Sequence, residues 1–171
     1  TKTAQETVVK TKTIEKYSDR TLGDALKNVA GVSSINTGNS IVKPIINGLH
    51  SSRILISLNG VRLQDQDWGI EHAPNVDINA FGSISVIKGA NALEYGGDAI
   101  GGVIALNPSK IIKKDTLYGK TIISQQSNGV LASLSTSLYK SFEKGWFING
   151  QGSYKSAGDF SAKDYDLTNT G

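Results

Sequence analysis

Apolar positions recur with two different periods along this chain, and the change falls near residue 115. Leu22, Ala25, Leu26 and Val29 stand at i, i+3, i+4 and i+7, the spacing of one helix face. Thr21 precedes them as a cap, Asp24 completes a capping-box-like arrangement, and Gly31 supplies the stop. Short apolar runs at Ile41–Ile46, Arg53–Leu58, Ile84–Ile87 and Val103–Leu106 predict strands. Thr7-Val8-Val9 reads as a further strand at the start. Pro44 confines its own strand to an edge or a bulge, because proline has no N–H to give a ladder. Asn59-Gly60 marks a tight turn before Val61, and Ala90–Tyr95 predicts about one helical turn ended by Gly96-Gly97.

From Leu117 onward the period is two. Ala132, Leu134 and Leu138 fall on one face of a strand whose other face is Ser133, Ser135 and Ser137. Trp146, Ile148 and Tyr154 then oppose Asn149, Gln151, Ser153 and Lys155. Gln126–Gly129 and Phe142–Gly145 are short turn-forming links, which makes the strands antiparallel neighbours. Ala157 to Gly171 reads as a longer polar loop. Tyr139, Trp146, Phe147 and Tyr154, near the strand ends, suit an interfacial aromatic girdle. These residues taken alone fit a soluble meander with one wet face equally well.

Composition narrows the classes. No run of about 18 apolar residues exists, so a membrane-spanning helix is excluded, whereas barrel strands carry too weak a hydropathy signal to be excluded. Cys is absent, which removes disulfides and thiolate metal sites. Met is absent too, and a chain opening on Thr1 reads as processed or partial. The net charge of +3 is spread over scattered lysines and arginines with no basic stripe, so nucleic acid is not the expected partner.

Candidate chemistry is sparse. The glycine-rich segment from Tyr95 to Ile104 lacks both the G-x-G-x-x-G and the G-K-[ST] spacing that would cradle phosphates. No G-x-S-x-G elbow is present and no carboxylate pair has a spacing that demands catalysis, so no enzyme and no cofactor are expected. Asp65, Asp67, Glu71 and His72 form an oxygen-and-imidazole set, but adjacent Glu71 and His72 point apart in most backbones; polar capping of a tight loop outweighs metal ligation. His50 reads as an exposed turn residue.

Five ordered segments carry a family resemblance. They are Thr21–Val32, Lys43–Leu49, Arg53–Arg62, Ile84–Gly89 and Tyr95–Ile104, with Asn59, Gly60, Arg62, Lys88, Gly89, Tyr95, Gly96, Gly101 and Gly102 at motif positions. Together they resemble the plug of TonB-dependent outer-membrane receptors over roughly Thr21 to Pro108. Three positions depart from the pattern: Asn47 stands for a common arginine, Ser85 for a glutamate, and Lys88-Gly89-Ala90 for arginine-glycine-proline. Such charges commonly bridge plug to barrel wall in the family, so a different polar network is expected here. Gln64–Pro74 resembles a variant of Bacteroidetes-type receptors.

The resemblance implies an α+β plug, a small mixed sheet with short helices, over residues 1–112. Antiparallel strands of an incomplete transmembrane β-barrel would follow over 113–171, about three strands and part of an extracellular loop. Such a plug fills a barrel of about 22 strands in the Gram-negative outer membrane and gates active uptake of a scarce solute: a siderophore, cobalamin, metal chelate, glycan or peptide. Implied partners are TonB with ExbB and ExbD, the extracellular solute and outer-membrane lipid; a surface lipoprotein is a further candidate partner. Apical loops would present Asn36, Asn39, Asp65, Gln66, Asp67, Trp68, Glu71 and His72 to the solute. The rival reading is a plug-fold module that binds a protein partner without transport, and a third is a receptor that also signals. No TonB-contact segment is identifiable, because Thr7-Val8-Val9 matches it only faintly.

Overall fold

The computed structural model describes residues 6–36, 42–63, 76–109, 111, 114–127, 132–162 and 165–167. Its centre is a five-stranded mixed sheet made of β1 (Glu6–Lys10), β4 (Ile54–Leu58), β5 (Val61–Arg62), β6 (Ser83–Ile87) and β7 (Gly102–Asn107), in the order β1-β6-β7-β4-β5. β4 and β7 run parallel, with Ile56 opposite Ile104, and every other neighbour is antiparallel. Such a sheet is buried on both faces, which is why Ile54-Leu55-Ile56 and Val103–Leu106 read as unbroken apolar runs.

One face carries the main core. Val9, Ile54, Ile56, Ile84, Val86, Ile104 and Leu106 meet α1 (Thr11–Glu15) through Ile14 and α2 (Leu22–Leu26) through Leu22, Ala25 and Leu26. The hairpin of β2 (Val32–Asn36) and β3 (Val42–Ile46) closes the same side through Val32 and Ile46. On the opposite face Leu55, Ile87, Val103 and Ala105 pack with Ala92 and Ala99 from the segment after β6, where a 3-10 helix runs over Gly89–Tyr95.

The cap at Thr21 is present: its hydroxyl oxygen accepts from the Asp24 amide at 3.4 Å. The helix is shorter than its periodicity suggests, ending at Leu26. Lys27 and Val29 donate instead to the carbonyls three residues back, a tightening that carries the chain to Gly31 at φ 74°. Pro44 lies in the two-stranded β2–β3 ribbon, where every strand is an edge. Asn59 and Gly60 both have positive φ, 52° and 83°, as the two-residue hairpin turn between β4 and β5 requires. A second turn of this kind, Asn47-Gly48 at 49° and 82°, closes Ile46 against Leu49 with the same dipeptide.

Beyond Asp115 come β8 (Thr116–Gln125), β9 (Ala132–Ser141) and β10 (Phe147–Ser156), an antiparallel sheet of three strands with ten residues each. Among the described residues this sheet does not close into a barrel. β11 (Phe160–Ala162) pairs with β12 (Tyr165–Leu167), so the stretch expected to be a polar loop contains a short ribbon.

Candidate functional site

Register assigns the two faces of the three-stranded sheet. Ile123, Leu134 and Tyr154 are cross-strand partners in one row, and Leu117 shares their face; all four are exposed and point away from the five-stranded sheet. Lys120, Ser124, Ser133, Ser135, Ser137, Ser153 and Lys155 occupy the other face, which is turned toward α1 and its neighbours. The alternation of apolar and small polar residues in the sequence is therefore a real division of surfaces. The aromatic girdle is only partly realised. Tyr139 and Phe147 stack at 6.0 Å between ring centroids, and pairing puts Phe147 with Ser141 and Tyr139 with Tyr118 on the inner face. Trp146, just before β10, and Tyr154 are exposed.

A polar seam joins the two sheets. Glu15 at the end of α1 pairs with Lys120 of β8. The Ser18 and Ser124 hydroxyls lie 3.3 Å apart, and Gln126 donates to the Asp19 carboxylate at 2.8 Å. Lys155 of β10 donates to the Arg20 carbonyl at 3.0 Å, and Ser153 donates to Asp77 at 2.6 Å. Asp77 caps the 3-10 turn Ile78–Ala80 by accepting from the Asn79 amide at 3.1 Å. The Asn79 side chain donates to the Ser18 carbonyl and to Asp77, both at 2.9 Å, so the two segments on this side of the seam are tied to each other.

Charge is distributed by side: carboxylates Glu15, Asp19 and Asp77 face Lys120, Lys155, Gln126 and Ser153. The serines of β9 are too short to fill the space between, and a cavity of about 40 Å³ lies among Glu15, Asn79, Lys120, Ser135 and Ser137. That volume is enough for water, and the lining offers it several partners. Hydrogen bonds to the protein across such a seam can be exchanged for bonds to water, which lowers the cost of parting the polar contacts, while Ile14, Phe81 and Ile122, which also line the cavity, would be uncovered.

The motif positions lie within the five-stranded sheet and its connections. Arg62 pairs with Asp98 at 2.8 Å, both exposed. Gly101 donates its amide to the Arg53 carbonyl at 2.8 Å, and a β-carbon at Gly101 would stand 2.7 Å from that same oxygen. A β-carbon at Gly102, where φ is 136°, would stand 2.8 Å from the Ile87 carbonyl oxygen. Gly96, at φ 128°, ends the 3-10 helix that holds Tyr95. Lys88 donates to the Ala30 carbonyl at 2.6 Å, just before Gly89 at φ 67°. The Asn47 backbone N–H donates to the Gly31 carbonyl at 2.9 Å, and the Asn47 and Lys88 side chains both reach the space beside Gly31, so both altered positions meet there. Ser85, the third, is buried and accepts from the Asn107 side chain at 3.2 Å.

Of the residues expected to face a solute, Asn36 is exposed at the end of β2 rather than within a loop. Asn39, Asp65, Gln66, Asp67, Trp68, Glu71 and His72 lie outside the described residues. Sequence reasoning does not find the seam. Asp77-Ile78-Asn79 carries an Asx-turn signal, and Ser153 and Lys155 fall on a polar face, but nothing in their spacing joins them.

The model of the TonB-dependent receptor plug domain family matches residues 1–103. The chain belongs to that family. It is 25% identical over 163 residues to the vitamin B12 transporter BtuB of Vibrio vulnificus, covering 94% of this chain and 26% of that protein. Against the vitamin B12 transporter BtuB of Photobacterium profundum it is 26% identical over 130 residues, covering 73% of this chain and 22% of the relative. The chain thus spans about a quarter of the length of the curated relatives it matches. Among solved structures it resembles the copper transporter OprC, with a TM-score of 0.74 at 19% identity over 94% of this chain and 25% of that one. The ferric enterobactin receptor PfeA of Pseudomonas aeruginosa gives 0.71 at 19% identity, over 94% and 26%. The expected α+β plug followed by antiparallel strands of an incomplete barrel is the fold found. The matched proteins are transporters and receptors rather than enzymes.

Proposed function

We propose that this plug gates active uptake of a scarce solute across the Gram-negative outer membrane. On this reading residues 1–112 are the plug, and 113–171 begin the barrel around it. The observation that carries it is the sidedness of β8, β9 and β10. Ten residues is the length a tilted strand needs to cross the hydrocarbon. Their apolar face is exposed, and their polar face holds the plug through exchangeable hydrogen bonds. Lipid would lie against Leu117, Ile123, Leu134 and Tyr154, and the plug would sit in the lumen.

Energy from the inner membrane would reach the plug through TonB, with ExbB and ExbD as its motor. The solute would meet Asn36, Asn39 and the segment holding Asp65, Gln66, Asp67, Trp68, Glu71 and His72. Cobalamin, ferric siderophores and copper are the cargo classes suggested by the names of the matched proteins. A deletion strain supplied with single sources of cobalamin, ferric siderophore, copper or glycan tests the reading. Loss of growth or accumulation on one source, restored by the gene only in a TonB-positive background, is expected. Unimpaired uptake on every source, with a protein partner co-purifying instead, replaces transport with the binding-module reading.

A further inference from the structure

The outward face of β8, β9 and β10 changes character toward one end. Ile123, Leu134 and Tyr154 form one row, and further along the strands Leu117, Lys140 and Ile148 form another. The Phe142 amide donates to the Trp146 carbonyl at 2.8 Å, which extends the β9–β10 ladder by one pair. Alternation puts Phe142 and Trp146 on the same face as Lys140 and Ile148, and Asp115 joins them through its ion pair with Lys140. The Lys140 ammonium also lies 5.3 Å from the centre of the Phe142 ring. Beside this group Asp115, Phe142, Glu143, Lys144 and Trp146 line an open concavity of about 500 Å³, within the size range of small-molecule sites. Trp146 is 76% exposed, and a ring with an apolar body and an N–H donor suits the boundary between hydrocarbon and headgroups.

Both signs of charge meet at this corner. Asp115 and Lys140 are already paired, whereas among the described residues Glu143 and Lys144 form no ion pair. An ammonium has three donors, so Lys140 keeps some for an oxygen other than that of Asp115. Short turns mark the periplasmic end of outer-membrane barrels, and the tight Phe142–Gly145 turn lies here, at the level of the glycerophospholipid headgroups. We propose that this corner binds the headgroup of a zwitterionic aminophospholipid. Lys140 and Lys144 take the phosphate, Asp115 and Glu143 accept from the primary ammonium, and the acyl chains run along Trp146, Leu117 and Ile148. A purely anionic headgroup leaves the two carboxylates without a cation, and a quaternary ammonium has no N–H to give them. The inference rests on the transport reading for the bilayer around these strands, and adds the class of lipid they select.

The full-length protein, reconstituted in vesicles of phosphatidylethanolamine, phosphatidylglycerol and phosphatidylcholine in equal parts and then extracted in mild detergent, tests this by native mass spectrometry of the lipids it keeps. Retained phosphatidylethanolamine is expected to exceed each of the others by about threefold, the scale of an exposed charge pair. Glu143 and Lys144 are exposed and lie outside the strands, so substituting them leaves the fold intact. E143Q should remove most of the excess of phosphatidylethanolamine over phosphatidylcholine, and K144Q should lower phosphatidylethanolamine and phosphatidylglycerol together. Equal retention of the three lipids by the parent, or an excess unchanged in both variants, overturns the headgroup site and leaves the transport reading standing. A protein that does not insert into the vesicles overturns both.

Discussion

Ser153 of β10 donates to the Asp77 carboxylate at 2.6 Å, although 76 residues separate them in the chain. Asp77 also accepts from the Asn79 amide and side chain, so one carboxylate organises a turn and docks it. Asp77→Ala is expected to destabilise the plug by about 1–2 kcal/mol, the cost of losing a cap and leaving its donors unpaired. Urea unfolding followed by amide exchange at residues 77–80 measures it. Asp77→Asn, which keeps an acceptor, should lose less than half as much.

Gly101→Ala should be costly for a different reason. The added methyl would crowd the Arg53 carbonyl at 2.7 Å and Leu49 at 2.9 Å, and overpacking of that kind costs about 1–3 kcal/mol. Gly97→Ala is the control, because nothing lies within 4 Å of its β-carbon position. Equal midpoints for the two variants in a urea titration would show that the close approach is not structurally required.

Lys120→Ala should matter little by comparison. Glu15 and Lys120 are 38% and 28% exposed, and pairs so accessible contribute about 0–1 kcal/mol, less in salt. Leu26→Ala, at a fully buried site, should cost about 2–5 kcal/mol in the same assay. A Lys120→Ala effect above that of Leu26→Ala would place the plug's stability in the seam rather than in its core.

Leu134→Arg tests the lipid-facing assignment. Leu134 is the third residue of β9, off the centre of the strand, so an arginine there should cost less than the about 2–4 kcal/mol of the bilayer midplane, and heat-modifiable folded protein in outer-membrane fractions should still fall measurably. Gln151→Arg, on the inner face of β10, should assemble normally. Equal assembly of the two would favour a soluble meander.

Much of the fold is legible in the sequence because it rests on local signals. Thr21 and Asp24 announce α2, Asn59-Gly60 announces its hairpin, and Ser133, Ser135 and Ser137 announce a polar face. What escapes depends on distant partners. Thr11–Glu15 is too short for a helical period to appear, and it is held by burial of Ile14. The seam pairs Ser18 with Ser124 and Asp19 with Gln126, polar residues with no sequence relation until the two sheets meet. The aromatic positions mislead because Tyr139 and Phe147 have the composition of a girdle, while their parity along β9 and β10 turns them inward.

The parallel pairing of β4 with β7 has a consequence for the order of folding. β7 lies between β4 and β6, yet it is the last of the five strands in the chain, and residues 59–101 must loop out before it can pair. Closing so long a loop is slow relative to forming the β4–β5 hairpin. The sheet thus stays split into two halves until Gly102–Asn107 enters, immediately before the stretch that leads to β8. Completion of the plug and the start of the surrounding strands are consecutive events in one chain, and a stop anywhere before residue 102 leaves both halves of the sheet with an open seam at the centre.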